Sequence, residues 1–456
     1  MSKILILTAS PIRDAIVDEL LSEELAKRGH EVSIRPCLRE GRAAVIEVMP
    51  DVVVVPPIRN PYSRDFTDTL KHWGLGVVSR HTEPSCDKAD FEKMEPWQRM
   101  DIFGKYPYNI DAELVWSEQE AEILGRRKVS FDVTAVGAFT VDAHLRADVI
   151  DRYRNKDEFC KKYGLDPEKK TLLICSPWGF ADAAPDLHVD DLDFANKDMA
   201  GRDRHFHMIK TVSAKFKDQW NIIVSTHPGV VQQPYKDLCK QLGLPLDTES
   251  TSFYLKVNVD AIVHAGSTMA IGAHFLGIPA YQFGDIYCKD ANNWWMDPES
   301  PISKISPFFA KAEDLCREIE QYQPGTNANA ESLKNLEQGR FGIMDGHATE
   351  RAAEIIDKVQ GKFKFKWPKG SIYDYSQLTI LRNIKIAHTS VVCNICGESF
   401  AIINESYLER LAQHVLQTIS SHVKGTIPDE VMQKMWTVTR QPNCPWCGAR
   451  WVQKDE

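Results

Sequence analysis

No apolar run in the chain approaches the ~20 residues that a membrane-spanning helix requires, so a transmembrane class is not expected. Nor is there a surplus of positive charge. Fifty-five Lys and Arg stand against 64 Asp and Glu, a net charge of -9, which argues against nucleic acid as a partner and leaves any basic function to local clusters. The dinucleotide fingerprint G-x-G-x-x-G is missing from the first strand-to-helix turn, Ala9-Ser10-Pro11-Ile12-Arg13-Asp14, and no G-x-x-x-x-G-K-[ST] occurs anywhere. NAD-type and P-loop chemistry thus lack their usual markers. Met1-Ser2-Lys3 leads straight into a strand rather than a signal peptide, and the expected location is cytoplasmic. Cysteine pairing is also scarce. Cys37, Cys86, Cys160, Cys175, Cys239, Cys288 and Cys316 are scattered without a pairing pattern, as expected for reduced thiols.

What the chain does contain is material for two or more full cores in its 456 residues. Lys3 to Thr8 is a short continuous apolar strand, Ile12 to Lys27 has helical periodicity, and Glu31 to Arg35 follows as a strand after Gly29, which makes a βαβ unit. The alternation continues through helix Gly41 to Met49, strand Asp51 to Val55, helix Arg64 to Trp73, and strands Gly76 to Ser79 and Glu113 to Trp116. Helix Gln119 to Leu124 and strand Phe131 to Val136 complete it. A second series begins after the polar stretch Asp148 to Lys170, with strand Thr171 to Cys175 and helix His207 to Phe216. Strands alternating with helices predict parallel, doubly wound sheets, so the fold class is α/β with two Rossmann-like domains and a cleft between them.

Two runs stand out in the second series. Ser225-Thr226-His227-Pro228-Gly229 closes the strand Asn221 to Val224, and His264-Ala265-Gly266-Ser267-Thr268 closes Val259 to Val263 and opens a helix, Met269 to Leu276. In an open α/β sheet ligands bind beyond the carboxyl ends of the strands, so both turns belong at one crevice. The second turn suits a phosphate: a glycine, two hydroxyls and a helix start whose N–H groups face outward. Ser267 or Thr268 acting as a plain helix cap is the competing reading. Ser176 and Gly179, after Thr171 to Cys175, border the same crevice and can lend backbone donors.

Near the C-terminus lie two knuckles, Cys393-Asn-Ile-Cys396-Gly397 and Cys444-Pro-Trp-Cys447-Gly448. Four thiolates in two C-x-x-C pairs suit tetrahedral zinc with no open position, a structural site; a redox pair is the alternative. A small α+β zinc module with a helical insert, Glu405 to Ser421, is therefore expected. The basic, aromatic-alternating stretch Gly361 to Gly370 ahead of it reads as an edge strand or a tether, with attraction to the inner face of an anionic membrane as the sharper option.

The turn His227-Pro228 followed by His264-Ala-Gly-Ser-Thr268 and Leu276-Gly-Ile-Pro279 resembles the nucleotide-sugar half of GT-B glycosyltransferases, and most of all the bacterial surface carbohydrate biosynthesis proteins. Ile58-Arg-Asn-Pro-Tyr-Ser-Arg-Asp65, Val115-Trp-Ser117 and Val136-Gly-Ala-Phe-Thr-Val-Asp142 extend the resemblance to roughly Lys3 to Val359. The same turns resemble the CMP-binding pattern of bacterial sialyl- and Kdo-transferases and that of CDP-glycerol phosphotransferases. The resemblance implies a nucleotide-sugar co-substrate, preferably CMP-linked. His227 and Pro228 would sit on the phosphate or cytidine side, with Gly266, Ser267 and Thr268 holding phosphate. It also implies no catalytic metal and a glycan or lipid-linked acceptor. Where related sequences carry a glutamate expected to hold a ribose, this chain has Gly272.

Glycosyl transfer needs a base for the acceptor hydroxyl and positive groups for the leaving phosphate. Glu83, in His81-Thr82-Glu83 after a strand, is the first candidate base and Asp65 the second. A solvated loop charge, or a partner of Arg59, Arg64 or Arg80, is the plainer role for either. Arg13 faces the expected cleft as a cation for an anionic ligand, beside Asp14, which reads as a helix N-terminal charge. His205 and His207, two apart on a helix, do not share a metal and read as core or surface residues. The expected layout is thus an acceptor domain over 1–147, a nucleotide-sugar domain over 148–345, a crossing helix and basic linker over 346–384, and the zinc module over 385–456. A CDP-polyol phosphotransferase and a non-catalytic nucleotide-binding scaffold are the alternatives to a glycosyltransferase.

Overall fold

The computed structural model of the chain describes residues 1–37, 41–57, 61–83, 109–126, 130–177, 192–227, 232–284, 304–326, 330–364, 389–392 and 399–402. They fall into two units, Met1–Phe363 and Lys364–Glu456.

The first unit holds two six-stranded sheets, each wholly parallel. Strands β1 (Lys3–Thr8), β2 (Glu31–Pro36), β3 (Val52–Val55), β4 (Gly76–Arg80), β5 (Ala112–Val115) and β6 (Asp132–Ala135) lie in the order β2-β1-β3-β4-β5-β6. The second sheet comprises β7 (Lys170–Cys175), β8 (Trp220–Ser225), β9 (Leu246–Asp247), β10 (Ala261–His264), β11 (Ala280–Phe283) and β12 (Phe308–Phe309), in the order β12-β11-β10-β7-β8-β9. The strand sequences explain the architecture. β3 is four consecutive valines, all buried, and only a strand covered by helices on both faces can be apolar throughout. Ile4 and Ile6 of β1 enter one apolar layer and Leu5 and Leu7 the other, the alternation that a pleated strand imposes. The two sheets are the two doubly wound α/β halves that the alternating pattern predicts.

The helices of the first half are α1 (Pro11–Lys27), α2 (Gly41–Val48), α3 (Pro61–His72), α4 (Glu118–Gly125) and α5 (Phe139–Leu145). Between the sheets the chain forms α6 (Ala147–Tyr153) and α7 (Lys156–Tyr163), where the sequence reads as a plain polar stretch. That correction has a local cause: Asn155 caps α7 by accepting from the Glu158 N–H, and Gly164 ends it in the left-handed region. The second half adds α8 (Leu192–Phe216), α9 (Gln233–Leu242), α10 (Ser252–Val257), α11 (Met269–Phe275), α12 (Ala312–Glu320) and α13 (Ala330–Leu336). Helix α8 starts fifteen residues before the expected His207, because its early turns are too polar to show a 3.6-residue period.

The final helix, α14 (Ala348–Lys358), belongs to the second half by sequence and to the first by packing. Ala352, Ala353 and Ile356 share one apolar cluster with Leu20, Leu21 and Leu25 of α1. The stretch Val136 to Asp142 receives it. Asp142 accepts from the N–H groups of Ala348 and Thr349, at 3.2 and 2.6 Å, and from the Thr349 hydroxyl at 2.7 Å, so it caps α14 from another element. A Cβ on Gly137, at φ +98°, would lie 2.5 Å from the Ile343 carbonyl oxygen, and one on Gly342 would strike the Trp116 carbonyl. The returning chain docks there because both glycines are bare. After α14, the Lys362 N–H donates to Gly74 O, and Phe363 packs edge-on to Trp73.

In the second unit, Thr389–Val392 (β13) pairs antiparallel with Ser399–Ile402 (β14), Val392 opposite Ser399. These strands flank Cys393 and Cys396 in the sequence; all four knuckle cysteines lie outside the described residues. Among the described residues, Cys37, Cys160, Cys175, Cys239 and Cys316 are free thiols, and no helix is long and apolar enough to cross a membrane.

Candidate functional site

In the second sheet the winding reverses between β7 and β10, which are neighbours in space although β8 and β9 intervene in sequence. A crevice opens beyond the strand ends at such a switch point. Ser176 follows β7, His227 follows β8 by two residues, and the turn Ala265 to Thr268 follows β10. They are tied together by hydrogen bonds: Ser176 N–H donates to Ser225 O at 2.9 Å, and Ser176 Oγ accepts from the His227 N–H at 2.8 Å. The Thr226 hydroxyl, buried beside them, has no hydrogen-bond partner among the described residues.

The second turn is built from beneath by His264. Its Nδ1 accepts from the Ser267 N–H at 3.2 Å while its Nε2 meets Ser306 Oγ at 3.0 Å. Burial pushes the pKa of this fully enclosed imidazole down to about 3 and keeps it neutral. Gly266 turns the chain at φ +71°, a conformation that favours glycine. Ser267 Oγ accepts from the Met269 N–H at 3.2 Å, a capping role, whereas Thr268 is exposed and its side chain makes no cap bond.

The first sheet contributes a polar group from the ends of β1 and β4. Ser10 starts α1, and Asp14 reaches back to the Ser10 N–H at 3.1 Å, so the acid is the helix N-terminal charge that its position implies. Asp14 in turn holds Arg13, Nε to Oδ1 at 2.7 Å. The guanidinium then reaches Thr82 Oγ1 at 3.0 Å and Glu83 Oε1 at 2.9 Å. Burial alone would lower the Arg13 pKa, but Glu83 and Asp14 override it and hold the group above its ordinary value. Arg13 and Glu83, expected as separate actors, are thus an ion pair at the cleft edge, with Glu83 still 48% exposed. Arg80, offered as a Glu83 partner by the sequence, is committed elsewhere: it forms a buried pair with Asp18, which also receives the Thr8 hydroxyl.

His227 lies within the electrostatic reach of this group. Burial pushes its pKa down to about 4, Glu83 works against that shift and Arg13 adds to it, so at neutral pH the imidazole is uncharged. The structure therefore brings Arg13, Glu83, Ser176 and His227 from four different strand ends into one polar group. Asp65 lies on α3, its side chain outside the described residues. Gly179 and Pro228 also lie outside them.

Sequence reasoning missed what stands behind Glu83. His81 is buried between two carboxylates, Nδ1 at 2.8 Å from Glu120 and Nε2 at 2.9 Å from Glu113. Burial lowers its pKa, but Glu120 and Glu113 prevail and bring it up to about 9. Trp116 Nε1 donates to the His81 carbonyl at 2.9 Å, and Ser117 caps α4 so that Glu120 faces the ring. The Val115-Trp-Ser117 motif thus fixes the backbone that carries Thr82 and Glu83. His205 is buried and His207 exposed, the core and surface fates that their spacing implies.

No protein-family model matches the chain, and no curated protein matches it significantly. Among solved structures, UDP-GlcNAc 2-epimerase from Methanocaldococcus jannaschii is similar over 78% of this chain and 99% of its own, with 16% identity and a TM-score of 0.47. The wall teichoic acid polymerase TagF is similar over 78% of this chain and 88% of its own, with 14% identity and a TM-score of 0.48. MnaA from S. aureus, in a co-structure with UDP, covers 78% of this chain and 96% of its own, with 11% identity and a TM-score of 0.45.

Proposed function

We propose that the chain is a GT-B-like glycosyltransferase that takes a sugar from a nucleotide donor, preferably CMP-linked, and passes it to a surface glycan or glycoconjugate. The observation that carries this reading is the meeting of a guanidinium–carboxylate pair from the first sheet with a neutral imidazole from the second, at the carboxyl ends of both. In this reading the donor phosphate lies against His227, Ser176 and the Gly266 turn. Exposed Thr268 adds a hydroxyl, whereas Ser267, its Oγ engaged with the Met269 N–H and its own N–H with His264, shapes the turn. Glu83, paired with Arg13, accepts the acceptor proton, and Arg13 offsets charge on the departing phosphate. Zinc held by Cys393, Cys396, Cys444 and Cys447 is structural in this proposal and takes no part in transfer.

The test is a thermal-shift screen of the purified protein against CMP, CDP, UDP, GDP and ADP, with His227→Ala alongside, because a ligand stabilises the folded state by mass action. Selective stabilisation by CMP, lost in the variant, is the expected result. Preference for a uridine or guanosine nucleotide would replace the donor, and no response to any nucleotide would overturn the reading.

A further inference from the structure

Behind the switch point lies a second polar group that the proposed transfer does not use. Lys256, in the last turn of α10, is only 5% exposed, and among the described residues neither a carboxylate nor a hydrogen bond holds its ammonium. Beside it stands His144 of α5, 3% exposed. Its Nδ1 lies 2.6 Å from Thr140 O; a carbonyl can only accept, so the ring proton sits on Nδ1 and Nε2 presents a lone pair. Among the described residues that buried Nε2 has no hydrogen-bond partner.

Both nitrogens converge on the bare face of Gly272 in α11. A Cβ at 272 would collide with Lys256 Nζ and would lie 2.5 Å from His144 Nε2. Glycine is thus what admits them. The ring of His144 is held edge-on against Phe253 at 5.0 Å, so it is fixed, while the lysine stem is flexible. Lys256 also lies within the field of Cys175, the last residue of β7, and the next residue, Ser176, lines the crevice. A desolvated ammonium without a counter-charge and a buried lone pair without a donor are both costly. One ligand group removes both costs: an oxygen anion that carries, or adjoins, an O–H.

We infer that Lys256 and His144 form an oxyanion receptor over Gly272. The anionic oxygen accepts from Lys256, and the hydroxyl donates to His144 Nε2. A 2-hydroxycarboxylate, as in an acidic sugar, and a singly protonated phosphate monoester share this chemistry. The receptor stands apart from the transferase reading above, because a CMP-linked donor carries a phosphodiester and a substituted anomeric oxygen, neither of which has an O–H to give.

The experiment is calorimetric titration, at fixed ionic strength, with glycolate, inorganic phosphate, sulfate and neutral glycolamide, on the wild type, Lys256→Met, Lys256→Gln and Lys236→Ala. Binding of glycolate or phosphate to the wild type is expected, and which of them binds tells carboxylate from phosphate. Sulfate, which has no O–H to give, should bind about ten-fold more weakly than phosphate, the cost of one unmade hydrogen bond. Glycolamide should not bind. Lys256→Met should lose the binding, and so should Lys256→Gln, which removes the charge but keeps a polar end and so carries the test if the first variant folds poorly. Lys236→Ala, at an exposed position of α9, should retain it. Anion binding that survives in both Lys256→Met and Lys256→Gln, equal affinity for sulfate, or no anion binding to the wild type would overturn the receptor. Loss of the nucleotide response with this pattern intact would overturn only the transferase reading.

Discussion

Asp142 accepts two backbone N–H groups and a hydroxyl from residues 206 and 207 positions further along, Ala348 and Thr349. Burial raises the pKa of this carboxyl, and the hydrogen bonds from Thr349 and Ala348 oppose the shift. The pairing joins the end of the first sheet to the helix that closes the unit, beside the bond that Arg351 Nε donates to Val136 O at 2.7 Å.

Removing that carboxylate strands the donors that start α14. Asp142→Ala should therefore lower stability by on the order of 3 kcal/mol, the scale for leaving buried donors of a charged hydrogen bond unpaired. Asp142→Asn, which keeps one acceptor oxygen, should lose less. Chemical denaturation of both variants measures the difference, and an Asp142→Ala loss no larger than a surface substitution gives would show that α14 is held by its apolar face alone.

The Arg13–Glu83 pair makes a kinetic prediction. Glu83→Gln keeps the hydrogen bond to Arg13 but removes the base, so kcat should fall by roughly 10²–10⁴-fold while nucleotide affinity stays near that of the wild type. Arg13→Lys should weaken both, because a point charge cannot engage Asp14, Thr82 and Glu83 together. Steady-state kinetics with the nucleotide sugar chosen by the screen give both numbers; unchanged kcat in Glu83→Gln would move the base elsewhere.

His81 makes a prediction about pH. Its folded pKa, about 9, lies above the unfolded value of about 6.5, so the folded state binds the extra proton. The stabilisation is fully present below about pH 6.5 and is lost as the pH rises through 9. Thermal midpoints of the wild type should drop over that window. His81→Asn should start lower and show a flatter profile there; parallel curves would assign the dependence to other groups.

Zinc has its own measurement. Protein purified in chelator-free buffer should carry about one equivalent of zinc, and replacing Cys393 and Cys444 by serine together should abolish it, since a four-thiolate site binds tightly only when complete. Metal content below about half an equivalent in the wild type would leave the cysteines as redox or plain thiols.

Much of the fold is written in local pattern. Continuous apolar strands such as Val52–Val55, and helices stopped by Gly29 or Gly277, announce a parallel sheet without reference to any distant residue. The strand ends then follow, which is why Arg13, Glu83, Ser176 and His227 could be named from sequence. What pairs with what could not. Arg80 is next to His81 in sequence yet bonds Asp18, and Asp142 finds its donors only after the second half has been traversed. Gly272 looks like a simple deletion of a side chain until Lys256 and His144 are seen against it, because close approach is a property of three segments at once.

The closing helix also sets an order of events during synthesis. Leu20, Leu21 and Leu25 of α1 share their cluster with Ala352, Ala353 and Ile356, residues translated more than three hundred positions later. Domains generally fold as units while the chain emerges, N-terminal part first. Here the first half leaves the ribosome with this apolar stripe open, and the stripe stays open until the whole second half and α14 have followed. Chaperone contact during that interval, and aggregation of chains truncated before Ala348, are the costs of an architecture whose last helix completes its first layer.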